Sequence, residues 1–222
     1  MTSGGLKPVL GALLVFGAWQ IVGMSGALGP GIAPPTDIVA RIFHDGLEFY
    51  GIHIVTTVQA AGMGYVVGNL AAILLSILVV AVPRVESLVL QMGIASACVP
   101  LIAIAPILSA LFSGNSPSAI MAGISVFFIT LVATISGLKS SDKTSEDLVS
   151  AYGGNKLMII RKVQLLSGLP RMLAALKIAV PAAFLGAIVG EFMGQPRGLG
   201  AALVVAQQAS DVTRTWSLAI MA

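Results

Sequence analysis

Hydrophobic positions in this chain fall into long continuous runs, not one-sided stripes. A helix rising about 1.5 Å per residue needs about 20 apolar residues to cross a hydrocarbon core of about 30 Å, so each run reads as a membrane span. The first covers Pro8 to Met24. A cleaved signal peptide competes for it, because Ser25-Gly26-Ala27 offers small residues of the kind found at cleavage sites. The run exceeds the usual signal core of about 7–15 residues and has only Lys7 as a basic flank, which favours a retained first span.

A Gly- and Pro-rich segment follows, and Pro34-Pro35-Thr36-Asp37 stops one element and caps the next. Over residues 34–50, Ile38, Val39, Ile42 and Phe43 alternate with Arg41, His44 and Asp45, the pattern of a helix lying at the interface, with Phe49 and Tyr50 as headgroup anchors. The second span is 54–82 and ends at Pro83-Arg84. His53 and Thr57 share a face at its start, as polar helix-end groups or as part of a solute site. Gly62, Gly64 and Gly68 let neighbouring helices approach.

The third span, 85–112, contains Pro100 and Pro106, each of which removes a backbone donor and crowds the preceding turn. A kinked or broken helix is expected, either as plain structure or as the lining or gate of a pathway. An uncharged turn at 113–117 leads to the fourth span, 117–138, with Ser116 as N-cap and Pro117 at the first helical position. The fifth span, 172–192, holds Lys177, Pro181, Gly186 and Gly190, which with Gly194 just beyond it make a four-residue packing repeat. A last apolar stretch, 212–222, begins like a sixth helix but is too short to span.

Composition agrees. Charged residues make up 9% of the 222 and hydrophobic ones 57%, and the mean hydropathy is +0.98, far from the soluble average of about 25% charged. The fold class is all-α, one polytopic transmembrane helical bundle over 1–222 with five full spans and a partial sixth. The net charge of +3 belongs to basic residues spread between spans, so topology, not nucleic acid, accounts for it. The lone Cys98 lies inside an apolar run, which leaves no intramolecular disulfide and no metal-ligand spacing, and reads as packing.

The longest polar stretch, 139–171, carries six of the twelve Lys and Arg residues. With the N-terminus inside, these six join Lys7 and Arg84 on the cytoplasmic face, against Arg41, Arg197 and Arg214 outside, as the positive-inside rule requires. Within the stretch, Thr144 and Asp147 resemble a capping box, Glu146 and Asp147 put negative charge on a first turn, and Gly153-Gly154 ends the helix. Leu148, Val149 and Tyr152 share one side, to be covered by the bundle or offered to a partner. Asn155 caps a second helix, which Ser167-Gly168-Leu169-Pro170 closes.

This stretch resembles the cytoplasmic motif of the inner-membrane permeases of bacterial ABC importers: Glu-Ala-Ala, three residues, Gly, nine residues, then I-x-L-P. Here it aligns as Asp147-Leu148-Val149, Gly153 and Val163-Gln164-Leu165-Leu166, with Asp for Glu, Leu-Val for Ala-Ala and Leu166 for the proline. Pro34-Pro35 before the amphipathic helix, Pro100 to Pro106 in the third core helix, Pro170, and Glu191 followed by the Gly198-Leu199-Gly200 turn resemble the nitrate, sulfonate and taurine subgroup.

The resemblance implies a type I importer fold and a multi-pass location in the bacterial inner membrane. It implies that Asp147, Leu148, Val149, Tyr152 and Gly153 form a coupling helix seated in a groove of a cytosolic ABC ATPase. The assembly it implies has a second permease copy, identical or not, an ATPase dimer and an external substrate-binding protein. The chain has no G-x-x-x-x-G-K-[ST] loop and so is not the ATP-hydrolysing subunit; the resemblance implies a non-catalytic permease with no cofactor or metal of its own, ATP and magnesium being held by the ATPase subunit.

Pro100, Pro106 and Glu191 are the candidates for pathway or gate. Glu191 lies near the outer end of its span, where water reaches it, and is read either as a structural partner of Arg197 or Arg214 or as a group that handles solute or protons. Two other function classes remain. One is a secondary transporter or channel working without ATP, which usually needs several intramembrane acids or histidines, sparse here; the other is a membrane scaffold subunit. The expected solute is a small anion or small organic molecule.

Overall fold

The structure, a computed structural model, describes residues 6–193 and 195–222, without the side chains of Leu6 and Lys7. Gly194, third member of the glycine repeat, and the Lys7 side chain lie outside the described residues. The helices are α1 Leu6–Ser25, α2 Pro35–Ala81, α3 Glu86–Cys98, α4 Leu101–Leu111, α5 Ser116–Leu138, α6 Lys143–Ala151, α7 Lys156–Ile159, α8 Leu165–Glu191, α9 Leu199–Gln208 and α10 Val212–Met221. No strand occurs among the described residues. Four helical stretches are long and apolar enough to cross a membrane, and a fifth is counted if α3 and α4 make one broken span.

The chain divides into two compact units, Met1–Val55 with Pro196–Ala222, and Thr56–Gln195. In the first, Gly46 (φ 76°, ψ 160°) breaks the start of α2. That conformation is open to glycine at little cost, so the amphipathic helix ends there and the apolar run begins soon after. Gln20 at the end of α1 exchanges hydrogen bonds with Thr36: its Nε2 donates to Oγ1 at 2.8 Å, and its Oε1 accepts from the Thr36 N–H at 3.2 Å. Trp19 stacks at a tilt on Trp216, centroids 5.4 Å apart.

Arg214 of α10 places two donors on Asp45, Nε on Oδ2 at 2.9 Å and Nη2 on Oδ1 at 2.8 Å. Arg41 donates from Nε to Asp45 Oδ2 at 3.1 Å and pairs through Nη2 with Asp211. Tyr50, expected at the headgroups, is instead buried and shares a 2.8 Å hydrogen bond with Ser217. Residues 199–208, after the Gly198 turn, form α9.

In the second unit α5 lies against α8 and against the later part of α2. Helix association in a membrane lacks the water-driven hydrophobic effect and relies on close backbone approach and interhelical hydrogen bonds. Both are present. A Cβ on Gly186 would lie 2.7 Å from the Met121 carbonyl oxygen and 2.8 Å from Ala122 Cα, and Ala60, Ala61, Ala122, Ala179, Ala183 and Ala187 form the buried cluster with Val126. Thr130 donates to Asn69, Ser76 donates to the Leu131 carbonyl at 3.2 Å, and Tyr65 donates to the Leu176 carbonyl at 3.1 Å.

The helix over 85–112 is broken, as its prolines lead one to expect. Val99 and Pro100 are extended (ψ 125° and 114°), and the two halves meet at 94°. Proline at 100 bars the α conformation for Val99, while Pro106 sits within α4 without ending it. Cys98 is the exposed last residue of α3, not a packing residue. At the start of α5 the N-cap is Asn115, not Ser116, and no side chain caps the helix; Asn115 donates its Nδ2 to the Thr56 carbonyl at 3.1 Å.

The second helix of the polar stretch does not close at Ser167–Pro170. From Lys156 it continues through a π turn at Ile160–Gln164 to Glu191 as one helix of 36 residues, with Pro170 and Pro181 inside. The turn around Pro170 is fastened to the end of α5. A Cβ on Gly168 would meet the Gly137 carbonyl carbon at 3.0 Å, and Arg171 Nη1 donates to the Ser136 carbonyl at 2.9 Å and to its hydroxyl at 3.0 Å.

Candidate functional site

The motif residues lie on and just after α6. Asp142 caps the helix, its Oδ2 accepting from the Ser145 N–H at 3.2 Å, so the cap stands two residues before the Thr144 expected for it. At the other end the Gly154 N–H donates to the Val149 carbonyl at 2.8 Å and the Gly153 N–H to the Ser150 carbonyl at 2.9 Å. This paired arrangement is a Schellman motif, and Gly153, at φ 79°, occupies its left-handed position. Asn155 then caps α7, accepting from the Met158 N–H at 2.9 Å, as its residue type predicts.

Between these ends the helix shows an uncovered apolar edge. Leu148 is 58% and Tyr152 85% exposed, at i, i+4 spacing, and Asp147 beside them is exposed too. Val149 is half-buried and faces the Gly153-Gly154 turn, where a Gly154 Cβ would approach its Cγ1 to 2.4 Å. The expected side of Leu148, Val149 and Tyr152 therefore divides: Val149 holds the turn, and the other two are presented.

Sequence reasoning used Glu146 only as a first-turn charge. It accepts from Gln164 Nε2 at 2.9 Å and from Ser141 Oγ, so it joins α6 to the π turn and to the link after α5. No local pattern marks a bond across 18 residues. A Gly153→Ala variant, forced to hold alanine at positive φ, should destabilise this cap by about 1–2 kcal/mol. Hydrogen exchange should show faster exchange of the α6 amides, with those of α5 unchanged.

The candidate pathway residues are dispersed. Val99 and Leu101, on either side of Pro100, line a cavity of about 280 Å3 with Ser125, Phe128, Ala182 and Leu185. A second, of about 450 Å3, lies between α2 and α5, with Met63, Ser96, Phe112 and Phe127 in its wall. Pro100, Pro106 and Glu191 line neither.

Glu191 corrects the expectation most. It is fully buried at the end of α8, away from water, and accepts from Thr57 Oγ1 at 3.0 Å. Arg214, one of its expected partners, spends its guanidinium on Asp45. The His53 ring accepts at Nδ1 from the Gly198 N–H at 3.2 Å. Among the described residues no group of three or more His, Cys, Asp or Glu is placed to hold a metal ion.

Residues 54–222 match the family model described as the inner membrane component of binding-protein-dependent transport systems. The formylaminopyrimidine transport permease protein ThiX of Halalkalibacterium halodurans is 34% identical over 88% of this chain and 78% of its own length. A probable ABC transporter permease protein of Haemophilus influenzae is 29% identical over 93% and 85%. The putative aliphatic sulfonates transport permease protein SsuC of Bacillus subtilis is 24% identical over 96% and 79%; it agrees with the sulfonate-like features of the sequence. With its succession of apolar helices, the chain belongs to the binding-protein-dependent transport system inner membrane component family, the multi-pass permeases of ABC importers whose ATP hydrolysis lies in a separate subunit.

Proposed function

We propose that this chain lines the solute pathway of an ATP-driven importer in a bacterial inner membrane and is coupled to its cytosolic ATPase through α6. The observation that carries the reading is the exposed Leu148–Tyr152 edge on a short helix capped at both ends. An exposed leucine and tyrosine four residues apart on a short capped helix are the kind of anchors that a helix lays into a partner's groove. The excess of basic residues in 139–171 supports a cytoplasmic position for that element, on the side of the N-terminus.

The assembly pairs the chain with a second permease, identical or not, two ATPase subunits holding ATP and magnesium, and an external binding protein, all within lipid. Closure of the ATPase dimer pushes the paired coupling helices and switches the pathway between inward- and outward-facing states. The broken α3–α4 span supplies irregular backbone beside a cavity, the arrangement by which a membrane helix lines a path. The solute is a small organic molecule or anion, supported by the formylaminopyrimidine and aliphatic sulfonates in the names of the two relatives. Neither cavity has a charged side chain in its wall, which speaks against an ion-coupled carrier.

Leu148→Glu tests the coupling role. Reconstituted with its ATPase and binding protein, the variant should reach the membrane in normal amount but lose the ATPase subunit or its stimulation by liganded binding protein. Unchanged binding and stimulation would remove α6 from the coupling route.

A further inference from the structure

A coupling helix transmits force only if it is rigid with the membrane helices it is meant to move. Caps at its own two ends do not provide that, since they hold α6 together without tying it to anything else. Among the described residues, Glu146 supplies such a tie through its side chain. One carboxylate oxygen, Oε1, accepts from Gln164 Nε2 at 2.9 Å and from the Ser141 hydroxyl. Ser141 Oγ also lies 3.3 Å from the Leu138 carbonyl at the end of α5. Gln164 is the last residue of the π turn that joins α7 to α8.

A π turn carries one extra residue relative to the α-helices on either side, so it is a place where the helix can change register without breaking. Glu146 is only partly exposed, and bonds to an ionised acceptor are roughly twice as strong as neutral ones. The exposed edge of Leu148 and Tyr152 takes no part in these bonds.

We propose that Glu146 is the positioning residue of the transport cycle: it clasps α6 to the π turn that leads into α8 and, through Ser141, to the link after α5, so that movement of α6 is passed to α8. The proposal rests on the coupling role of α6 and adds the route by which its motion leaves it. Glu146 acts through Gln164 and Ser141. Its effect is on how much of the stroke reaches the membrane.

The experiment uses the full complex in lipid nanodiscs, with three permease variants compared for ATPase occupancy and for the ratio of stimulated to basal hydrolysis. Glu146→Ala and Gln164→Leu should keep the ATPase subunit bound, because the presented edge is intact. Their stimulation ratio should fall about tenfold, the size expected when a two-state equilibrium loses a hydrogen bond to a charged group. Glu146→Gln keeps an acceptor oxygen for both donors and should recover most of the ratio.

Wild-type ratios in Glu146→Ala and Gln164→Leu would overturn the proposal. So would loss of the ATPase subunit from all three variants, which would make this a docking surface instead of a clasp. Failure of the underlying reading is distinguishable, since it shows as full docking and stimulation in Leu148→Glu.

Discussion

Gly64→Leu should abolish the folded permease, whereas Gly62→Leu, two residues away on the same helix, should be tolerated. A Cβ at position 64 would lie 2.3 Å from the Ala119 carbonyl oxygen, 2.5 Å from Ala122 Cβ and 2.8 Å from the Gly123 nitrogen. Two of these three atoms are backbone of α5, so no rotamer change relieves the clash and the helices must separate. One turn on, a Cβ at Gly68 would meet the Gly123 carbonyl oxygen at 2.5 Å, which marks a seam and not a single contact. A Cβ at Gly62 meets nothing within 4 Å. Overpacking usually costs about 1–3 kcal/mol, and a side chain driven into backbone exceeds that, against a net stability of about 5–15 kcal/mol for a folded domain. Size-exclusion profiles in detergent should show aggregate for Gly64→Leu and a single peak for Gly62→Leu. A monodisperse Gly64→Leu protein melting with the wild type would show that α2 and α5 do not meet there.

The contrast between Gly62 and Gly64 also shows what the sequence could disclose. Hydropathy placed the apolar helices, and proline chemistry placed the break at Pro100, because both depend on residues adjacent in the chain. Which of three glycines faces a neighbour depends on helix rotation, which a nearly uniform apolar run does not encode. The continuation through Pro170 was equally hidden. It is supported by Gly137, Ser136 and the Arg171 guanidinium, contacts made 31 to 35 residues away in the chain, where local punctuation signals a stop.

The candidate site divides in the same way. Gly153, Gly154 and Asn155 were legible because a Schellman turn and an N-cap are local devices with characteristic residues. Glu146 was not, since Gln164 and Ser141 give no periodic or motif signal toward it. The burial of Glu191 was missed because position near a span end was taken to mean access to water; its Thr57 partner lies 134 residues away.

Asp45 is the other position where one side chain should carry a large share of stability. It is 3% exposed and receives Arg214 through two donors and Arg41 through a third. Asp45→Asn keeps the shape but faces both guanidinium groups, each about a third exposed, with an uncharged amide, and the lost charge pairing costs about 2 kcal/mol. For a chain of this size that amounts to a fall of roughly 6 °C in the unfolding temperature near neutral pH. Asp211→Asn, at a site 27% exposed, should cost no more than about 1 kcal/mol.

Acid provides the sign test. The Arg214 hydrogen bonds, reinforced by the charges of Arg214 and Arg41, hold the Asp45 carboxyl at about 2, below its ordinary value of 3.8. A carboxylate lowered on folding stabilises fully above its ordinary value, and that contribution is lost as pH falls through the lowered one. The gap between wild type and Asp45→Asn should therefore be constant from neutral pH down to about 4 and close between about 4 and 2. A gap that closed above pH 5 would mean that the arginines do not hold Asp45 ionised.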